Sequence, residues 1–227
     1  MPLRIFRMRT VAAANAVGLL LGGSFFGFVF VGTLYMQQVL GYSALQTGVA
    51  WLATSLTSLA LAGLSQKLVT RISPGPVMAL GMAVIGGGIV WATLVPVHGH
   101  FWSSLAGPFF VAGAGGAFSF IPISIGGLTG VAEREAGLAS GLLNTSQQLG
   151  GAIGVAIAST VAATHTKTLL AGGDATNAAL TGGFQWAFWI CGAIALLAPA
   201  TTALILRRKR ASEIGDAVPA LEVGGVN

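Results

Sequence analysis

The chain has 227 residues, of which 54% are hydrophobic and only 7% are charged, and its formal net charge is +5. A soluble domain averages about 25% charged residues. So few charges cannot cover a water-facing surface of this size, which makes an integral membrane protein the leading class. The basic residues cluster between apolar runs instead of forming a polar face, which argues against nucleic-acid binding. The single cysteine, Cys191, excludes an internal disulfide and a cysteine-pair metal site.

Six apolar runs are long enough, at about 20 residues each, to cross a hydrocarbon core of about 30 Å. The runs are continuous and not alternating, so they predict an all-α fold and not barrel strands. In chain order the predicted spans are residues 11–33, 47–65, 77–95, 105–127, 141–163 and 184–206. The predicted organisation is a basic entry segment over residues 1–10, a six-helix bundle over residues 11–206, and a basic tail over residues 207–227 that is disordered from Ala211.

Basic residues occur at alternate ends of the spans. Ten of the eleven lysines and arginines lie before span one, between spans two and three, between spans four and five, or after span six, and only Lys167 lies on the other side. Lysine and arginine are retained on the cytoplasmic side, so we predict a multi-pass protein of the inner (cytoplasmic) membrane with both termini cytoplasmic. The basic cluster at residues 207–210 is expected to anchor the last span against anionic lipid.

Polar and aromatic residues form a stripe on one side of the first predicted helix and another on the second, at 100° per residue. Amides and hydroxyls are costly in hydrocarbon, so both stripes are predicted to line a solvated substrate pathway. The residues concerned are Asn15, Phe26, Phe30, Thr33 and Gln37 in the first stripe, and Trp51, Thr54 and Ser58 in the second. The alternative left open is that these stripes serve only in packing between helices.

The fifth predicted helix carries a polar block inside an apolar run, GLASGLLNTSQQLGGAIGVA (residues 137–156). Asn144 and Gln148 lie one turn apart on one side of this helix, and we predict that they also line the pathway. Small residues let another backbone approach closely. The glycines interpreted as helix-packing positions are Gly137, Gly141, Gly150, Gly151 and Gly154.

Three segments resemble one protein family. The segments PLRIFRMRT (residues 2–10), LYMQQVLGYSALQTGVA (residues 34–50) and the polar block of the fifth helix resemble the carboxyl-terminal six-span half of a major facilitator superfamily transporter, in its fourteen-span drug:proton antiporter branch. The resemblance implies one half-bundle of that fold, in which spans one, two, four and five line half of a central cavity. It also implies proton-coupled efflux of amphipathic, drug-like molecules.

The segment GLSQKLVTRISPGP (residues 63–76) is predicted to be a cytoplasmic loop, and it stands where the family has a gating signature. Gly63 and Arg71 match that signature, whereas Lys67 and Thr70 replace its aspartate and its second glycine. The resemblance therefore carries a gating role over to Gly63 and Arg71 only.

No acidic residue lies in a predicted span. The six are Glu133, Glu135, Asp174, Glu213, Asp216 and Glu222, in loops or in the tail. Proton-coupled transport generally uses an ionisable group within the membrane, so we expect the coupling carboxylate to belong to an amino-terminal half that is missing from this chain. The expected partners are the lipid bilayer, a small amphipathic substrate, and that other half or a second copy. No cofactor or metal is expected.

Two other classes of function compete with a transporter. A channel or scaffold without a transport cycle is the first alternative, but the paired asparagine–proline half-helices and carbonyl filters typical of channels are missing from the sequence. An intramembrane enzyme needs a nucleophile and a histidine at bilayer depth, and His98, His100 and His165 lie at or beyond the outer ends of the spans. We therefore predict a transporter and not an enzyme.

Overall fold

The structure is a computed structural model that describes the backbone of residues 9–222 and the side chains of residues 11–201. Every regular element in that part of the chain is helical. The long helices are α1 (Arg9–Gln38), α2 (Ala44–Ile72), α3 (Pro74–Trp91), α4 (Ala106–Leu128), α5 (Ala136–Ala171) and α6 (Thr176–Glu222). The basic entry segment before Arg9 and the basic side chains at residues 207–210 lie outside the described residues.

Six segments are long and apolar enough to cross a membrane, and they confirm the predicted all-α, six-span architecture. Their bounds are Val11–Gln38, Ala44–Ile72, Pro74–Leu94, Phe101–Leu128, Glu133–Ala171 and Thr176–Thr201. Most helices are longer than their predicted spans, because a helix continues past the hydrocarbon edge where its sequence favours it. The backbone of α6 is helical as far as Glu222, whereas disorder was predicted from Ala211.

The predicted cytoplasmic loop over residues 63–76 is wrong. The helix α2 continues to Ile72 and α3 begins at Pro74, so Ser73 alone connects them. Gly63 and Arg71 therefore lie exposed in the last turns of α2. The chain breaks at Ser73 because a residue before proline is disfavoured in the α region. Ser73 has φ 117° and ψ 159°, a region that only glycine adopts at low cost.

Helices that are distant in sequence form the main packing contacts of the bundle. The helix α1 packs on α5 and α6, α3 packs on α4 and α6, and α2 packs on α4. The ring of Phe28 in α1 contacts the rings of Trp51, Phe109 and Phe188, and so joins α1 to α2, α4 and α6. The helix α2 is the least buried of the six spans, and α5 is the next.

Glycines allow the helix backbones to touch. A Cβ atom on Gly22 of α1 would overlap the carbonyl group of Gln147 in α5. A Cβ atom on Gly81 of α3 would likewise overlap the carbonyl group of Phe118 in α4. Because lipid tails are as apolar as the helix surfaces, close van der Waals contact of this kind drives helix association in membranes. The α1–α5 and α3–α4 contacts are therefore the tightest crossings for which glycine is required.

Candidate functional site

The two amides of the polar block lie on an open side of α5. Asn144 and Gln148 are exposed, and a Cβ atom built on Gly137 or Gly141 meets no other atom within 4 Å. The prediction that Gly137 and Gly141 mediate helix packing is therefore wrong within the described residues, because no neighbouring helix reaches this side of α5. Amides and bare backbone together form an uncovered polar strip.

The other three predicted packing glycines lie against α1. A Cβ atom on Gly150 would overlap the backbone of Leu19, and one on Gly154 would overlap the backbone of Gly23. Gly151 lies beneath the ring of Phe26, whose Cδ2 atom occupies the space of a Cβ atom. The helix α5 therefore has one side bound to α1 and another side, carrying the amides, without a neighbour in the described bundle.

Asn15 belongs to the packed side and not to the open face. It is only 5% exposed. Its Nδ2 atom donates to the carbonyl oxygen of Val11 at 2.8 Å, and its Oδ1 atom accepts from the hydroxyl of Ser146 in α5, also at 2.8 Å. The prediction that Asn15 lines the pathway is therefore wrong for this structure, because the amide is satisfied inside the α1–α5 contact.

The other stripe residues of α1 stand at or near the surface. Phe26 and Gln37 are exposed, and Phe30 and Thr33 are half-buried. Phe26 meets the neighbouring Phe25 edge to face, with 6.4 Å between ring centroids, and Phe25 meets Phe120 of α4 in the same way at 5.4 Å. A strip of phenylalanine rings therefore runs from the surface of α1 to α4.

The stripe of α2 mainly attaches this helix to α4. The hydroxyl of Thr54 donates to the carbonyl oxygen of Phe109 at 3.2 Å, and the hydroxyl of Ser58 donates to that of Gly113 at 2.6 Å. Thr54 is buried, and Ser58 is half-buried. For Thr54 the packing alternative applies, so the prediction that it lines the pathway is wrong for this structure. Serine and threonine hydroxyls that bond across helices supply part of the adhesion between spans.

Trp51 closes the gap between α1 and α2 near the loop that joins them. Its indole ring stacks on Phe109, with 4.3 Å between centroids and 19° between planes. Its Nε1 atom donates to the hydroxyl of Thr33 at 3.0 Å. Trp51 and Thr33 are therefore half-buried partners of each other, and the indole N–H of Trp51 is used in the contact between α1 and α2.

The surface that remains open combines rings and amides. Phe26, Phe30 and Gln37 of α1 lie on it, together with Asn144 and Gln148 of α5, and Gly151 beneath Phe26 is the point where the two helices meet. Sequence reasoning missed Phe25 and Phe120, because the spacing of residues within one helix carries no signal for ring contacts between distant helices. Within the part of the chain that is described, no group of three metal-ligating side chains occurs.

The described acidic residues lie apart from this surface. Glu133 and Glu135 form a 3₁₀ turn (Glu133–Glu135) ahead of α5, and Asp174 lies between α5 and α6. The open surface therefore has no described carboxylate, and the chemistry that it offers is aromatic contact and neutral hydrogen bonding.

Comparison with known proteins places these features in one family. The family model described as the major facilitator superfamily matches residues 1–155. The chain is 34% identical to the cephamycin export protein of Amycolatopsis lactamdurans, over 73% of this chain and 34% of that protein. It is 31% identical to the puromycin resistance protein of Streptomyces alboniger, over 88% of this chain and 42% of that protein.

A multidrug resistance protein B homolog of Mycobacterium tuberculosis is 28% identical over 69% of this chain and 29% of that protein. The chain therefore spans about a third of the length of the curated relatives that it matches. Because the family model matches more than half of the chain, which carries six helices able to cross a membrane, this protein is a multi-pass membrane protein of the major facilitator superfamily.

Proposed function

We propose that this chain supplies the carboxyl-terminal six-span half of an exporter of the fourteen-span drug:proton antiporter branch. The exporter moves amphipathic, drug-like small molecules outward across the inner membrane, and both termini of this chain are cytoplasmic. The observation that carries the proposal is the exposure of Asn144 and Gln148 on a membrane-spanning helix whose adjacent side is packed on α1.

The energetic argument starts from the amide group. An amide in an apolar medium without a hydrogen-bond partner costs roughly 2–7 kcal/mol, and Asn144 and Gln148 are two such groups within one turn. Protein or water must therefore cover this side of α5 in the membrane. A transporter that rocks one six-helix bundle against another around a midplane site provides such a cover.

The composition of the open face supports a neutral, amphipathic substrate. Phe26 and Phe30 offer ring faces and edges, and Asn144, Gln148 and Gln37 offer amide donors and acceptors. Mostly apolar sites with a few polar groups are typical of pockets for small molecules. The exporters and resistance proteins named above support outward transport as the direction.

Proton coupling is assigned to the partner. A coupling site requires an ionisable group at membrane depth, and Glu133, Glu135 and Asp174 lie at the ends of spans. The carboxylate that exchanges protons therefore belongs to the amino-terminal half with which this chain assembles. Two copies of this chain would cover the amides of each other but would not supply that carboxylate.

The test is export of a fluorescent dye from energised membrane vesicles. We expect no uncoupler-sensitive export from vesicles that contain this chain alone, and restored export when an amino-terminal half from a related transporter is co-expressed. Asn144→Leu with Gln148→Leu should abolish the restored export. The matched control is Thr164→Leu, an exposed hydroxyl on the opposite side of α5, which should leave export unchanged.

Two results would contradict the proposal. Uncoupler-sensitive export by the 227-residue chain alone would show that no second half is needed for coupling. Equal export by the double amide variant and the Thr164→Leu variant would show that the open face of α5 does not contact substrate or partner. Membrane insertion of each variant is checked by its recovery in the washed membrane fraction.

A further inference from the structure

A groove lies on the flank of α2 that faces away from α1. Its volume is about 690 Å³, and its walls include Val49, Ala53 and Leu56 of α2, Phe110 of α4, and Trp102. Trp102 belongs to a single π-helical turn, Phe101–Leu105, that precedes α4. None of the residues that line the groove is charged. The groove is therefore a long apolar surface with one aromatic wall.

Side-chain hydrogen bonds hold one end of this groove in shape. The hydroxyl oxygen of Tyr42 accepts a hydrogen bond from the backbone N–H of Phe101 at 3.1 Å. Gln46 accepts from the backbone N–H of Ser43 at 2.9 Å through its side-chain oxygen, which completes a capping box at the start of α2. Tyr42 and Gln46 both line the groove. The groove therefore has a fixed polar end and an apolar body.

The groove shares no lining residue with the open surface of α1 and α5, and it also lies apart from the contact between α2 and α1. Ala53 lies in the groove, and Trp51, which bonds to Thr33 of α1, is two positions before it on α2. Two positions on a helix are 200° apart, so the two side chains leave α2 on nearly opposite sides. The groove is therefore on the side of α2 that is turned away from its contact with α1.

The depth of the groove in the membrane follows from its helices. Its walls belong to the candidate spans Ala44–Ile72 and Phe101–Leu128, and its polar end is at the beginning of both. Tyrosine and tryptophan are enriched at the level of lipid headgroups. Tyr42 and Trp102 therefore mark the membrane interface, and the groove extends from there into the hydrocarbon beside Val49 and Leu56.

The geometry points to a binding groove for one acyl chain of a membrane phospholipid. The chain lies along Val49, Ala53 and Leu56, and the glycerol end of the lipid lies beside Tyr42 and Trp102. Because the surrounding medium is also hydrocarbon, the groove holds the chain by close van der Waals contact on several sides and slows its exchange with the bilayer. Because the lining is uncharged, the groove does not select lipids by the charge of their headgroup. Lipid binding here is independent of the proposed transport.

The test uses the full chain in phosphatidylcholine bilayers that contain a phospholipid spin-labelled near the end of one acyl chain. Electron spin resonance counts the lipids whose chains are motionally restricted. We expect the wild-type chain to restrict about one lipid more than Val49→Phe does, because the larger side chain occupies the groove that holds the one proposed chain. Ala53→Leu fills the groove from the same helix and should lose the same lipid.

Leu59→Phe is the matched control. Leu59 is 72% exposed on α2 and lies outside the groove, so a phenylalanine at this position should leave the restricted count at the wild-type value. Helical content by circular dichroism confirms that each variant is folded. Equal counts for wild type, Val49→Phe and Ala53→Leu would overturn the proposal. Lower energy transfer between fluorescently labelled copies of Val49→Phe, with an unchanged lipid count, would also overturn it, because the groove would then hold a second copy.

Discussion

The hydroxyl of Ser146 donates a hydrogen bond to the side-chain oxygen of Asn15, with 2.8 Å between the two oxygens. The residues of the polar block of α5 therefore face two different sides of the helix. Ser146 and Gln147 turn toward α1, where the Cγ atom of Gln147 lies 3.4 Å from the position of a Cβ atom on Gly18. Asn144 and Gln148 remain on the open side. One short polar segment therefore serves both the packing of this bundle and the surface that it presents to other molecules.

Removal of the Ser146 hydroxyl should destabilise the bundle. Ser146→Ala deletes the bond to Asn15 and is expected to lower the free energy of unfolding by about 0.6 to 2 kcal/mol, the range for hydrogen bonds between membrane helices. Thr145→Ala is the control, because the Thr145 hydroxyl bonds to the Gly141 carbonyl of its own helix, and its effect should stay within about 0.5 kcal/mol. Unfolding by denaturant in mixed micelles measures both. Equal losses would contradict the assignment.

The glycine crossing between α1 and α5 predicts a larger effect. Gly22→Ala should lower the free energy of unfolding by about 1–3 kcal/mol, as overpacking does, because the new methyl group overlaps the Gln147 carbonyl. Gly141→Ala meets no atom within 4 Å and should instead stabilise α5 by up to about 1 kcal/mol through helix propensity. Thermal unfolding in detergent compares the two variants. A stabilising Gly22→Ala would refute the close crossing.

The open side of α5 predicts a pattern of thiol reactivity. In a Cys191→Ala background, cysteines placed at Asn144 and Gln148 should react with a small hydrophilic thiol reagent in native membranes, because both positions are exposed and the proposed pathway contains water. A cysteine at Leu143 should react much more slowly, since Leu143 is 6% exposed and packs against α1. Mass spectrometry of the labelled chain gives the rates. Equal protection at all three positions would favour packing over a wet pathway.

The distribution of basic residues predicts the orientation of the helices. Ten of the eleven lysines and arginines lie on one side of the predicted topology, and we expect that side to be cytoplasmic because lysine and arginine are retained there. A reporter that is active only in the cytoplasm should be active when it is fused after Ser73 or after Arg210. The same reporter should be inactive after His98 or after Asp174, at the opposite ends of the helices. The reverse activity pattern would overturn the orientation.

The link between α2 and α3 predicts a stabilising substitution. Ser73 has a backbone conformation that costs an L-residue of order 1–3 kcal/mol and costs glycine little. Ser73→Gly should therefore raise the melting temperature of the chain, and the Ser73 side chain makes no capping hydrogen bond to α3 that would be lost. Ser73→Ala keeps the Cβ atom and should bring no gain. An unchanged melting temperature in Ser73→Gly would show that the connection is unstrained.

The six helices were predictable because each apolar run is long enough to cross the membrane without help from another run. The role of a single amide was not predictable in the same way. Asn15 and Asn144 both interrupt apolar runs, yet one is buried against α5 and the other is exposed. The difference depends on which helices become neighbours, and the partner of Asn15 is 131 positions away in sequence. The periodicity of residues within one helix does not indicate which distant helix will supply the partner.

The packing role of each glycine in α5 was also not predictable from the sequence. Gly141 and Gly150 occur in one helix and satisfy the same rule for close packing, but only Gly150 meets a backbone. The prediction of a loop at residues 63–76 was wrong for another reason. The many polar residues of this segment predict a loop, but a helix outside the hydrocarbon core tolerates polar residues on all sides. Pro74 is therefore the residue that indicates the break between α2 and α3. A lysine or arginine in the sequence marks the edge of the hydrocarbon core, but it does not mark the end of the helix.

The order in which the helices pack has a consequence for synthesis. The helix α1 packs on α5 and α6, and α2 packs on α4, so the main neighbours of both helices emerge later from the ribosome. During insertion α1 must therefore remain in the lipid without α5 and α6 until these helices arrive, with its packing glycines bare. Because a lone helix satisfies its own backbone hydrogen bonds, this wait is tolerated. The bundle closes only when α5 and α6 enter the membrane, after α1 to α4 have been inserted.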